Sequence, residues 1–196
     1  MPATMSSGAY PVSLEVDEPQ PQNRLSVLIR IIFAIPAMLF GIVIGIGLQI
    51  VALIAWVVIL VTGKYPAGMM NFTEGGLRFS SRLSGYLYLL TDKSPSFSLD
   101  ADPAYPVRLS VQGQIEGRNR LTVFFRLLMA IPHYLILGVL NYVIGVVVFV
   151  AWLMALFTGS VAPGLHTFIA GYLRWTMRAQ GYVLLVTDEY PPFSLS

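Results

Sequence analysis

The sequence predicts an all-α integral membrane protein of two tandem repeats, each a hydrophobic helical hairpin plus an amphipathic interfacial helix, with short β-strand segments at the repeat ends. Three observations predict it. Hydrophobic residues fill 56% of the 196 positions and charged residues only 11%, which is more apolar than a water-facing surface tolerates. The chain repeats itself: residues 23–99 align with 119–195 at a constant offset of 96, and 31 of the 77 aligned positions are identical without a gap. All twelve basic residues lie outside the two longest apolar runs, Ile31 to Val61 and Leu127 to Phe157.

The repeat sets the domain boundaries. Residues 1–9 read as a disordered N-terminal tail, 10–99 as the first membrane repeat, 100–104 (Asp-Ala-Asp-Pro-Ala) as a short acidic linker and 105–196 as the second repeat. The tail has no basic n-region and no apolar core, so it does not read as a secretory signal.

Each copy opens on an alternating stretch, Tyr10 to Val16 and Tyr105 to Val111, whose valines and leucine fall on one face of a strand. The closing stretches, Pro95 to Leu99 and Pro191 to Leu195, also alternate, so the two ends of one copy are expected to meet as a small sheet. From Leu25 to Val61 the chain is apolar for 37 residues apart from Ser26, Arg30, Gln49, a proline and three glycines. As one helix this run would be about 55 Å long, against a hydrocarbon core of roughly 30 Å. A turn at Gly45 to Gln49, and at Gly138 to Tyr142 in the second copy, gives two arms of spanning length. Two crossings per copy also leave the recurring cations on one side, as the positive-inside rule asks. The alternative is a single crossing per copy, which inverts the second copy relative to the first.

The stretches Gly68 to Leu90 and Gly164 to Val186 follow Thr-Gly pairs and read as amphipathic helices. Their arginines, Arg78 with Arg82 and Arg174 with Arg178, cost about 2.5 to 3.5 kcal/mol each at a bilayer centre, so an interfacial position is expected.

The polar identities carry a resemblance. Tyr-Pro-Val, Arg-Leu-Thr-Val-Phe-Phe-Arg, Ala-Ile-Pro-His, Ala-Trp, Phe-Thr-Gly, Leu-Arg-Trp and Thr-Asp-Glu-Tyr-Pro-Pro-Phe resemble the bacterial membrane family known as domain of unknown function 4389, matched twice over nearly the whole chain. The second copy is the closer match: the first has Ala37 in place of His133, and Lys93-Ser94 in place of Glu189-Tyr190. The resemblance implies a multi-pass protein of the bacterial cytoplasmic membrane and brings no activity, substrate or cofactor with it.

The candidate sites follow from charge. Arg78, Arg82, Arg174 and Arg178 are candidate contacts for anionic lipid head groups or a membrane protein partner, with Asp92 and Asp188 as ion-pair partners within the chain. Arg30, Arg126, Gln49 and Asn141 are the candidate intramembrane polar residues; the two arginines sit near enough to the arm's start to snorkel to the interface. His133 and His166 stand opposite Ala37 and Met70 in the other copy, without further ligands at metal spacing, and read as structural. The chain has no cysteine, which removes thiolate, disulfide and iron-sulfur chemistry. No catalytic, cofactor-binding or metal residue is assigned. No contiguous basic run points to nucleic acid, and a homo-oligomer fits the composition as well as a monomer. The function expected is a non-enzymatic scaffold or accessory component binding lipid head groups or a partner protein at the cytoplasmic interface. The alternative is a transporter or channel subunit with a pathway between the repeats.

Overall fold

Asparagine starts both long helical stretches. The side chains of Asn23 and Asn119 accept hydrogen bonds from the backbone amides of Leu25 and Leu121, satisfying donors that a helix start leaves open. The structure, a computed structural model, describes residues 10–196; the expected tail, residues 1–9, lies outside them. The elements are β1 (Val12–Val16), α1 (Arg24–Thr62), α2 (Ala67–Leu87), β2 (Val107–Val111), α3 (Arg120–Phe124), α4 (Arg126–Thr158) and α5 (Pro163–Val183). Both Thr-Gly pairs end a long helix, with Gly63 at φ 73° and Gly159 at φ 78°, the left-handed cap that glycine adopts without a Cβ penalty.

The helical hairpin expected within each long run does not form. α1 is one continuous helix of 39 residues, and α4 continues unbroken for 33. Of the glycines that suggested a turn, Gly45 and Gly138 have open space beside them, whereas a Cβ on Gly47 would lie 2.9 Å from the Phe72 ring; one on Gly41, a turn earlier, would lie 3.0 Å from Leu83. Gly41 and Gly47 let α2 approach α1 closely. What the residues themselves show is coarser: two helices, Arg24–Thr62 and Arg126–Thr158, are long and apolar enough to span a membrane.

The strands form as expected but pair differently. β1 and β2 are antiparallel partners, with Leu14 opposite Leu109, so the sheet joins the openings of the two copies. The closing stretches 95–99 and 191–195 are not strands; they run back along the short helices, where Leu99 meets Gly75 and Leu195 meets Gly171. β2 packs on α2 of the first copy and β1 on α5 of the second, an exchange of strands between the copies.

A pseudo-two-fold relates the halves. The Trp56 indole donates to the carbonyl of Val123 and the Trp152 indole to that of Val27, each at 3.0 Å. The amide of Gln22 bonds Gly159 O while that of Arg118 bonds Gly63 O. The start of each long helix therefore meets the end of the other, and α1 and α4 run antiparallel.

Three layers result: α1 with α4, then α2 with α5, then the sheet. Neither strand packs on a long helix. The middle layer is largely buried within the protein. Only Ala67, Gly68 and Asn71 of α2, and the matching Pro163, Gly164 and Thr167 of α5, are exposed. Small residues rather than a greasy face make this burial work, since backbones close up where side chains are absent. A Cβ on Gly85 would lie 2.7 Å from Val107, and one on Gly181 2.8 Å from Val12. Gly85→Ala is therefore expected to destabilise by about 1 to 3 kcal/mol through overpacking, and Val107→Ala in the same chain to recover much of that loss in denaturant unfolding.

Candidate functional site

The two arginines singled out in the long helical stretches, Arg30 and Arg126, sit at the centre of two matching clasps. Arg30 is 3% exposed and Arg126 1%, so neither snorkels. Each guanidinium turns inward from the first turns of its helical stretch, over a tyrosine of the paired short helix: Arg30 lies 4.6 Å from the Tyr86 ring centroid and Arg126 4.3 Å from that of Tyr182. Arg30 donates to the carbonyls of Tyr86 and Thr91, and Arg126 to those of Tyr182 and Thr187. Tyr86 and Tyr182 lie in the last turns of α2 and α5, so a cation there meets the negative end of the helix dipole.

The turn that presents them is closed by the amides of Leu90 and Val186 on the carbonyls of Gly85 and Gly181. Leu89 and Leu185 have φ of 62° and 65°, a region where a side chain costs about 1 to 2 kcal/mol. Both leucines are buried, which offsets that cost.

Asp92 and Asp188 close the clasps. They do not pair with the helix arginines 78 and 82 or their equivalents, as expected; Asp92 pairs with Arg30 at 2.9 Å and Asp188 with both Arg126 and Arg118. Each also accepts the backbone amide of the asparagine cap, Asn23 at 3.1 Å and Asn119 at 2.7 Å. One carboxylate thus ties the start of the long stretch to the end of the short helix. The copies differ in the third member. Gln22 accepts from Arg30 at 2.8 Å, whereas its counterpart Arg118 adds a second cation. Burial lowers the Arg118 guanidinium to about 10, with Arg126 adding to the shift and Asp188 opposing it. Gln22 and Arg118 carried no sequence signal beyond their place just before the caps.

The paired arginines of the short helices divide. Arg82 and Arg178 are buried and reach the closing segments. Arg82 donates to the carbonyls of Ser98 and Asp100, and Arg178 to those of Ser194 and Ser196. Desolvation depresses both. Arg78 bonds Glu74 at 2.9 Å, while Arg174 bonds the carbonyl of Leu14 on the outer edge of β1 at 3.1 Å. No arginine covers the corresponding edge of β2. A groove of about 440 Å³ lies there, lined by β2 together with Arg78, Arg82, Glu15 and the linker from Asp100 to Pro103.

Gln49 and Asn141 are not brought together. Gln49 lines a small cavity with Trp56, Arg126 and Leu184; Asn141 accepts from the Tyr172 hydroxyl at 3.2 Å. His133 accepts from the Trp175 indole at 3.0 Å and stacks on Phe193. His166 lies 3.4 Å from Leu90 O, and its burial pushes it toward the neutral form. Among the described residues no group of three or more His, Asp or Glu is placed to hold a metal ion.

The fold and the clasps define a tandem-repeat helical protein, each copy a long apolar helical stretch latched by arginine and aspartate to a short helix packed beside it. The chain belongs to the family described as "Domain of unknown function (DUF4389)", whose model matches residues 24–98 and 120–194. No curated protein and no solved structure matches it.

Proposed function

We propose that the chain is an integral protein of the bacterial cytoplasmic membrane, a non-enzymatic scaffold or accessory component whose long-helix layer lies in lipid and whose sheet layer meets a partner. The observation that carries the reading is where the apolar surface sits. Of 36 exposed large hydrophobic side chains among the described residues, 32 lie between Leu25 and Val61 or between Leu121 and Phe157, and none on α2, α5 or the strands. The most apolar windows of the two long helices are only 22% and 17% buried within the chain, whereas a core helix of a water-soluble domain is mostly covered. An exposed apolar face of this size on a monomer needs a cover.

The buried charges support a structural rather than a chemical use. Arg30, Arg126, Arg82 and Arg178 are spent on backbone carbonyls, and Asp92 and Asp188 on helix starts. The open edge of β2, flanked by Arg78 and Arg108 on one hand and Glu15 and Asp102 on the other, suits an extended polypeptide adding as a strand.

The purified chain reconstituted into vesicles containing anionic lipid is expected to float with them after an alkaline carbonate wash. Release into the supernatant contradicts the reading.

One observation favours a second reading. Antiparallel copies are the relation found in inverted-repeat carriers, and there a pathway would run between the two long helices. A flux of ions or small metabolites into the same vesicles supports that reading; flat flux removes it.

A further inference from the structure

We propose that α1 and α4 lie flat within one leaflet, with the pseudo-two-fold along the membrane normal, so that the chain enters the bilayer from one side without crossing it. This rests on the lipid reading above and specifies its geometry. The occupant of the apolar face is the acyl-chain region of a phospholipid leaflet, with head-group phosphates at the rim.

The first argument is length. The exposed apolar stripe of α1 runs from Leu25, 65% exposed, to Val61, 71% exposed. That is about 54 Å at 1.5 Å per residue, against roughly 30 Å of hydrocarbon. A helix standing across the bilayer would carry its outer apolar residues into water at both ends. A helix lying in the leaflet holds all of them at one depth, as interfacial helices do with a face sunk about 5 to 10 Å.

The second argument is the place of the charges. The two tryptophan bonds, one from α1 to α3 and one from α4 to α1, are symmetric about a point next to Ile42 on α1 and Gly138 on α4. In the sheet the same axis passes through the pair Leu14 and Leu109, so the sheet lies over the middle of the long helices. On its outer side are Glu15, 67% exposed, and its partner Arg108. If α1 and α4 crossed the bilayer, this pair would sit at mid-depth facing lipid, where each charge costs about 2.5 to 3.5 kcal/mol. With the axis along the normal, the sheet and its charges stand in water above the short-helix layer.

The rim completes the case. Arg24 and Arg120 are exposed at opposite ends of the long-helix layer, beside Gly159 and Gly63, and neither makes an ion pair within the described residues. Cations at both ends of the stripe fit one plane of phosphates. A crossing helix would divide them between the two faces of the membrane.

The chain has no cysteine, so single thiols report position directly. Lys64→Cys, Ser160→Cys and Asp102→Cys are introduced one at a time into the full chain in cells, and right-side-out and inverted membrane vesicles are treated with a membrane-impermeant maleimide. The flat arrangement predicts that all three label from the same side and that labelling is lost from the other. Opposite sides for Lys64→Cys and Ser160→Cys, with Asp102→Cys protected from both, overturn it in favour of crossing helices and leave the lipid reading intact. A different failure marks the lipid reading itself: Ile42→Cys forming a disulfide-linked dimer in a chain that carbonate strips from the membrane would mean that a second copy covers the face.

Discussion

Asp188→Asn is expected to cost about 3 to 5 kcal/mol of stability, the loss seen when a buried ion pair is broken from one side. The substitution keeps the shape of the side chain but strands two guanidinium groups, Arg118 and Arg126, that both bond one carboxylate oxygen. Arg118 is already lowered to about 10 by burial and has no other acidic partner. Asp92→Asn in the first copy is expected to cost clearly less. There one arginine is involved, its second nitrogen also bonds Gln22, and the carboxylate is 27% exposed against 14% for Asp188. Denaturant unfolding of both variants in detergent checks the order. An equal or larger loss for Asp92→Asn would contradict the assignment of unequal clasps.

The second large effect tests the exchange of strands. Val12 is 1% exposed and packs on Gly181 of α5, in the other copy. Val12→Asp places a carboxylate where nothing pairs with it, a change among those that cost about 4 kcal/mol or more. The damage is expected in the second copy although the substitution lies in the first: amide hydrogen exchange should accelerate in α5 before α2. Val107→Asp is expected to do the reverse, through Gly85. Faster exchange within the copy that bears the substitution would show that each strand belongs to its own repeat.

Much of the local structure was legible because its causes are local. Asn before an apolar run, Thr-Gly after it, and valine alternating with polar residues each specify backbone geometry within a few positions, and each element formed where these signals stood. The offset of 96 made every such signal appear twice. Partners far along the chain were not legible. Arg30 reads as a snorkelling residue because the groups that receive it, Tyr86, Thr91 and Asp92, arrive 56 to 62 positions later. The same distance hid the link from Asp188 to Arg118 and Arg126.

The helical hairpin failed for a different reason. Glycine in an apolar run signals either a turn or a close approach, and sequence alone does not separate them. Here Gly41 and Gly47 face Leu83 and Phe72, a use visible only once α2 lies alongside. Two crossings per copy are not needed to keep the cations together either, because Arg24 and Lys64 flank one unbroken helix rather than the two feet of a hairpin. The paired arginines misled in a similar way: charge at i and i+4 suggested a wet face, but Arg82 and Arg178 find carbonyls of the closing segments instead of water.

The proposed arrangement bathes the outer face of α1 and α4 in acyl chains and the sheet in water. Spin labels at Ile42 and Ser110 of the vesicle-bound chain measure this most directly, through relaxation by oxygen, which concentrates in lipid, and by a water-soluble nickel chelate. A label at Ile42 is expected to be relaxed by oxygen and shielded from nickel, and one at Ser110 to show the opposite. Equal nickel access at the two positions would contradict the arrangement.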